Sequence, residues 1–381
     1  MSAPIFALIC VELRLRDFRN FAELDLAFPA VGAAIIGDNG AGKTNLLEAI
    51  YYLETFRSFR GAPDERLVRF GADAFHIRGR FRDEATGQEQ EITAAFERRT
   101  RRKRVTVGGA EPERLGDAVG LAGVVVFSPS DLSLVAGAPS ERRRFLDIVL
   151  SLNQPGYLRW LQRYRQVLRQ RNAMLRSRAG RALLEPWDEA LAAAGAQIIV
   201  ARAQWVRAHA DAFRRRCAAM SGGAGACLRY RPGLGLARPP ESCSPEEVEA
   251  AFLAELAHGA ERERERGMTL AGPHRDDLEF VDAESSVDLR EFGSGGQRRT
   301  AAIALRMIEA DTVRAGRGRE PLVLLDDVFA ELDPGRGYRL LELLEAEERG
   351  QVILTAPKAT DLEPRGGRLP HWRIEAGRIH A

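Results

Sequence analysis

The sequence predicts an α/β fold whose core is split by a long, mainly α-helical insertion. Three observations predict it. A short apolar strand, Ala33-Ala34-Ile35-Ile36, runs through a glycine-rich turn into a helical stretch. A second apolar strand, Leu322 to Leu325, ends in Asp326 and Asp327. Between these halves lie segments whose apolar residues recur at helical spacing, so the core is assembled from both ends of the chain.

The totals bound the answer. A chain of 381 residues has room for about two or three compact units. An apolar share of 45% with 29% charged residues excludes a disordered chain. The formal net charge is only +2, so bulk charge does not single out nucleic acid. Residues 1–18 carry an acid and arginines inside their apolar run and lack the layout of a secretory signal. No run of about 18 uncharged apolar residues offers a membrane span. The expected location is the cytoplasm, with no membrane contact. Cys10, Cys217, Cys227 and Cys243 form no CxxC pair and read as reduced thiols rather than a zinc site.

The first element is the glycine-rich turn. The chain has 56 basic residues, yet only Lys43, Lys103 and Lys358 are lysines. Lys43 completes G-x-x-x-x-G-K-[ST] with Gly37, Gly42 and Thr44. An apolar strand precedes the turn, and Leu46, Leu47, Ile50 and Leu53 mark one face of the helix that follows. Backbone N–H groups of Gly37, Asp38, Asn39, Gly40, Ala41 and Gly42 can then curl around phosphate oxygens at a helix N-terminus. A lysine ammonium is a compact point charge that suits the β- and γ-phosphates better than a planar guanidinium. Thr44 would place its hydroxyl on Mg²⁺. The expected cofactors are ATP and Mg²⁺.

The second strand supplies the complementary acid. Leu322 to Leu325 form the continuous apolar run of a buried parallel strand. Asp326 at its end is the expected Mg²⁺ ligand. Asp327 would orient or deprotonate the attacking water, which makes Lys43 and Asp327 the expected catalytic pair. Upstream, Ser294-Gly295-Gly296-Gln297 opens a helix with apolar Ala301, Ile303, Ala304, Leu305 and Ile308, a second glycine turn at a helix start.

Together, the glycine loop, the Ser-Gly-Gly-Gln turn, the strand ending in Asp and the following Glu331-Leu332-Asp333 resemble the ATP-binding cassette ATPases. That resemblance implies an ATP-dependent homodimer in which each nucleotide lies between one head's P-loop and the partner's Ser-Gly-Gly-Gln turn. Ser294, Gly295, Gly296 and Gln297 would contact nucleotide in trans, with Asp333 at the dimer seam. Thr44 and Ser294 stand 250 positions apart, more than a transporter's nucleotide-binding domain needs. No heptad register is sustained, so no long coiled coil is expected.

Local strings narrow the resemblance. LRLRDFRNF (13–21), RSFR (57–60), FSPSDLSLVAGAPSERRRFLD (127–147), GPHRDDL (272–278), GSGGQRR and LLDDVFAELD occur in the order of the RecF family of bacterial recombination mediators. The resemblance spans nearly the whole chain. It implies an ATPase head, residues 1–135 with 270–381, and a helical arm, residues 136–269. It also implies ATP-dependent DNA binding alongside RecO and RecR in loading RecA at gaps, with weak, DNA-stimulated ATP hydrolysis. The chain departs from the wider pattern in three places. Ser130 stands where an acid is common, Phe127-Ser128-Pro129 offers no glutamine, and QVILTAPK (351–358) offers Thr355 where a histidine is usual.

The charge pattern is consistent with DNA. Eleven arginines crowd residues 141–183 against two acids, Glu141 and Asp147. Arg142, Arg143 and Arg144 form one cluster. Arg101, Arg102 and Lys103 form another at an expected hairpin tip. Such clusters neutralise phosphates without reading sequence. No aromatic platform accompanies them, so duplex backbone contact is expected over base stacking. His274, Arg275, Asp276 and Asp277 of GPHRDDL read equally as functional groups or as residues that hold their loop. Two other functional classes fit the motifs: a nucleotide-binding subunit of another cassette system, and a non-catalytic adaptor that uses ATP as dimer glue.

Overall fold

The computed structural model describes residues 7–178, 180–223, 225–346, 350–359 and 369–380. The chain divides into two compact units, Met1–Asp131 with Glu309–Ala381, and Leu132–Ile308.

The first unit holds two sheets around one helix. β1 (Leu8–Phe18), β2 (Phe21–Ala27), β4 (Ala74–Asp83), β5 (Glu89–Glu97) and β6 (Arg102–Val107) form an antiparallel sheet in the order β2-β1-β4-β5-β6. Residues of β4 alternate between buried and more open positions, the period of a sheet with one covered face. β3 (Gly32–Ile36), β7 (Val124–Phe127), β10 (Leu322–Leu325), β11 (Val352–Ala356), β12 (His371–Glu375) and β13 (Arg378–His380) form the second sheet. Its order is β13-β12-β3-β11-β10-β7, parallel except for β13. β7 and β10 are buried at every position, as strands covered on both faces must be.

α1 (Lys43–Thr55) joins these sheets. One apolar cluster links its Leu46, Leu47, Ile50 and Leu53 to Leu13 and Phe18 of β1, Ile77 of β4, Ile35 of β3 and Leu324 of β10. The sequence marks one apolar face on this helix, but Leu46 through Glu54 are all buried. Two of these buried residues are glutamates, and each has a partner. Arg19 grips Glu48 with two hydrogen bonds, 2.7 and 2.9 Å, and the Ser58 hydroxyl donates to it as well. Arg317 faces Glu54 at 3.5 Å. α2 (Leu115–Ala118) is a single turn, and α10 (Pro334–Ala346) follows β10.

The second unit is mainly helical: α3 (Leu132–Ala136), α4 (Pro139–Asn153), α5 (Tyr157–Arg176), α6 (Arg181–Ser221), α7 (Pro245–Arg266) and α8 (Leu289–Phe292). α9 (Gly295–Arg317) contains the boundary between the units. Two sequence expectations change here. Residues 221–245 are not all linker, since β8 (Ala226–Arg231) forms within them and pairs antiparallel with β9 (Asp277–Asp282). That pairing also draws residues 270–308, assigned to the head on sequence grounds, into the second unit. Strand pairing across 46 or more positions leaves no local signature. No helix among the described residues is long and apolar enough to cross a membrane.

Candidate nucleotide-binding site

Strand order positions the site. β11 lies between β3, which leads into the glycine loop, and β10, which leads into Asp326. The three strands run parallel, so their C-terminal ends meet on one edge of the sheet, where open α/β sheets bind ligands.

The loop is shaped by close backbone approach. A Cβ on Gly37 would lie 2.4 Å from the Ile374 carbonyl oxygen. Gly42 has φ +117°, and a side chain there would meet the Asn20 amide. Gly42 caps α1 without a side chain, and the first turn contains no acid. The opening N–H groups of α1 therefore have no side-chain acceptor, which is the condition for an anion site at a helix start. Asn20 braces the loop from outside, donating to Ala41 O at 3.1 Å and accepting from the Asn45 amide at 2.8 Å. Arg60 donates to Asn45 Oδ1 at 3.3 Å. A cleft of about 690 Å³ runs along Gly37, Asp38, Asn39, Gly40 and Ala41, walled by Trp372, Arg373 and Glu375. That volume suits a nucleotide-sized ligand.

The expected catalytic groups come together. Lys43 is buried, and its ammonium donates to Gly37 O at 2.8 Å and Asp38 O at 3.3 Å. It lies 3.7 Å from Asp327. Thr44 donates its hydroxyl to Asp326 Oδ1 at 2.8 Å, across 282 positions of chain. Asp327 adopts a left-handed φ of 47°, a strained conformation of the kind that collects at working sites.

Thr355 is the group the motif spacing does not assign. Its hydroxyl accepts the Asp327 N–H at 2.9 Å and lies 3.2 Å from both Asp326 Oδ1 and Asp327 Oδ1. One hydroxyl proton is thus shared among two carboxylates and, at 3.4 Å, the Leu325 carbonyl oxygen. The only sequence signal was its position, where the wider superfamily carries histidine.

Burial, with a smaller contribution from Asp327, pushes the Asp326 carboxyl up to about 6, against the hydrogen bond from Thr44. The residues present fit a divalent cation. A threonine hydroxyl and one carboxylate are hard oxygen donors. Mg²⁺ is typically held by few protein oxygens, with phosphate and water completing its shell.

The remaining expected residues lie elsewhere. Ser294 and Gln297 cap α9 reciprocally. Gln297 N–H donates to Ser294 Oγ at 3.2 Å, and Ser294 N–H donates to Gln297 Oε1 at 2.8 Å. Ser294 and Gly295 are exposed, and Gly296 is half-buried. Asp333 caps α10 through the Arg336 N–H at 3.1 Å, which with the Arg336 guanidinium holds its carboxyl low. The side chain of Glu331 lies outside the described residues.

Two assignments to DNA are corrected. Arg142 is not a surface ligand, because it is 1% exposed and grips Asp277 with bonds of 2.7 and 3.0 Å. Lys103 is also spent internally, on Asp64 at 2.8 Å, Phe56 O at 2.6 Å and the face of Tyr52. Arg101 pairs with Glu65 but stays exposed, as does Arg102. Both flank the turn of the expected β5–β6 hairpin. Arg143 is half-buried and Arg144 exposed.

GPHRDDL holds the second unit together. Asp276 is fully buried and accepts from Arg202 at 2.6 Å, from Tyr230 and from Gly233 N–H at 2.7 Å. Asp277 holds Arg142. His274 lies between Tyr164 OH at 2.6 Å and Thr269 O at 3.1 Å. Burial pushes its imidazole down to about 4, so it stays neutral.

Comparison with known proteins identifies relatives of this chain. A family model described as RecF/RecN/SMC N terminal domain matches residues 9–365. The DNA replication and repair protein RecF of Salinibacter ruber is 40% identical, over 94% of this chain and 87% of that protein. RecF of Moorella thermoacetica is 38% identical, over 98% of this chain and 96% of that protein. A solved structure of the recombination mediator protein RecF with ATP, from the RecFOR pathway, superposes with a TM-score of 0.89 at 28% identity, covering 100% of this chain and 99% of that one. An Smc head structure superposes at 0.56 and 17% identity, a likeness of fold alone.

Proposed function

The chain belongs to the RecF family, and from that premise we propose that it is an ATP-gated DNA-binding protein of DNA repair and recombination. The observation that carries the reading is the Thr44–Asp326 hydrogen bond of 2.8 Å beside buried Lys43, a metal and phosphate site built from the two ends of the chain. In this reading Lys43 and the α1 N-terminus hold the nucleotide phosphates, Thr44 and Asp326 hold Mg²⁺, and Asp327 positions the attacking water. ATP joins two copies, with Ser294, Gly295, Gly296 and Gln297 of one meeting the nucleotide on the other. DNA is held by exposed arginines, hydrolysis is slow and releases it, and RecO and RecR act with the complex. The location is cytoplasmic.

The test is equilibrium binding to a short duplex across a salt series, with and without Mg·ATP. Wild-type protein should bind tightly only with nucleotide, and Lys43→Met should lose that ATP-dependent part while remaining folded. Equal binding in both nucleotide states, or undiminished ATP-dependent retention by Lys43→Met, would refute the gate.

A further inference from the structure

Around α4 of the second unit, guanidiniums outnumber the carboxylates that pair with them. Asp147, Asp276 and Asp277 serve Arg142, Arg165 and Arg202. Arg142 takes Asp277, Arg202 takes Asp276 at 2.6 Å and Asp147 at 2.7 Å, and Arg165 shares Asp147 at 2.9 Å. Arg231 leans on Asp277 as well, at 3.9 Å. Neither of the two remaining guanidiniums forms an ion pair among the described residues. Arg143 donates only to the Asp276 backbone carbonyl, at 2.8 Å. Arg144 makes no hydrogen bond or ion pair among the described residues.

Both unbalanced arginines open on one cleft. It is about 190 Å³, lined on the α4 side by Arg143, Arg144 and Asp147, on the α5 side by Arg165, and closed by Pro273 and His274. Arg202, 2% exposed, also lines it. The cleft is smaller than the roughly 300 Å³ at which small-molecule pockets begin. It offers no free aromatic face for a base, since Tyr164 is tied to His274. It has donors, positive charge and room for one tetrahedral oxyanion.

We propose that this cleft seats a single backbone phosphate of bound DNA on Arg143 and Arg144, with Arg165 completing the seat. Four guanidiniums, those of Arg143, Arg144, Arg165 and Arg202, line the cleft against one carboxylate, that of Asp147. Burial first and the neighbouring Arg202 next push the Arg143 guanidinium pKa down, against Asp276, Asp277 and Asp147, and a phosphate in the cleft would oppose that fall. The inference rests on the DNA-binding reading and replaces Arg142 with the arginines that face an opening.

Two measurements on the full chain test the seat. The first is thermal denaturation of Lys43→Met protein in potassium phosphate against potassium chloride at equal ionic strength. The Lys43→Met background weakens phosphate binding at the glycine loop. Phosphate should raise the Tm, logarithmically with concentration, and the added change Arg144→Gln should remove the shift. Arg144 has no partner to lose, so the variant should fold. The second is the salt dependence of duplex affinity in otherwise wild-type protein. Arg144→Gln should make the slope of log affinity against log salt shallower by about 0.9, one phosphate contact. No phosphate-specific shift, or a shift undiminished by Arg144→Gln, would overturn the seat. A lost shift with an unchanged salt slope, or with no duplex binding by the parent protein, would make the cleft a free-oxyanion site and overturn the DNA assignment. The phosphate arm reads the seat even where ATP gating fails.

Discussion

Thr355 is the residue on which both acids of the site depend. Its hydroxyl serves Asp326 and Asp327 at 3.2 Å and receives the Asp327 N–H. Thr355→Val keeps the shape and removes these bonds. A hydrogen bond to a charged group is worth about 1.5–3 kcal/mol. Single-turnover ATP hydrolysis should therefore fall by roughly ten-fold or more, with ATP affinity changed less, and Thr355→Ser should recover most of the rate. An unchanged rate in the valine variant would deny Thr355 any part in holding the acids. Arg142 makes the opposite lesson at the same scale. It stands in the most basic run of the chain, yet its guanidinium serves Asp277. Arg142→Met leaves that carboxylate buried without its main partner and should cost about 3–5 kcal/mol, read from the urea midpoint. A change under about 1 kcal/mol would mean that the Arg142–Asp277 pair contributes little to the fold. Residue type was legible in both cases, but partner was not, because a partner 135 positions away in sequence is chosen by the fold.

At the scale of elements, the helix starts were the most readable features. The glycine turn before α1 and the Ser-Gly-Gly-Gln turn before α9 both lie where the motifs place them. Their terminal chemistry differs. α1 begins on a glycine and leaves donors for a ligand, whereas α9 is capped by its own Ser294 and Gln297. Ser294→Ala should therefore cost about 1 kcal/mol of stability through the lost cap alone. Sedimentation with and without Mg·ATP separates this cap from the proposed contact across a dimer. A weaker dimer beyond the stability loss supports the trans contact, while unaltered assembly leaves Ser294 as a cap only. β8 was the element missed. Its six residues sit among glycines and prolines, and it exists because β9 offers it a ladder.

For the whole molecule, protons connect the site and the second unit. His274 has a folded pKa near 4 against about 6.5 in an unfolded chain. Between those values the unfolded chain takes a proton that the fold refuses, so stability falls as pH drops through this window, by about 3 kcal/mol for this group. Asp326 acts in the opposite sense. Its folded pKa near 6 exceeds the ordinary carboxylate value, so it contributes stability at low pH that is lost as pH rises towards 6. Urea midpoints at pH 7 and pH 4.5 should show His274→Gln losing less on acidification than wild type, and Asp326→Asn losing more. Identical acid responses in all three proteins would mean that neither environment shifts its group as the geometry requires.

By itself the sequence determined which residues stand at each end of the candidate nucleotide site. Lys43 and Thr44 follow a glycine turn, and Asp326 and Asp327 end an apolar strand. Each group is announced by neighbours within a few residues, through strand and helix periodicities that are local. The strings that carry the family resemblance were equally plain, although Asn20 and Arg60 within them gave no sign that they brace the loop. Only the tertiary structure decided which charges are free. It buried Arg142 and tied down Lys103, made Asp276 and Asp277 counter-ions, set Thr355 between two carboxylates and left Arg143 and Arg144 without an ion pair. The physical reason is that burial and pairing belong to the three-dimensional neighbourhood, and an arginine in a linear run carries the same charge whether its partner is a carboxylate from a distant strand or water.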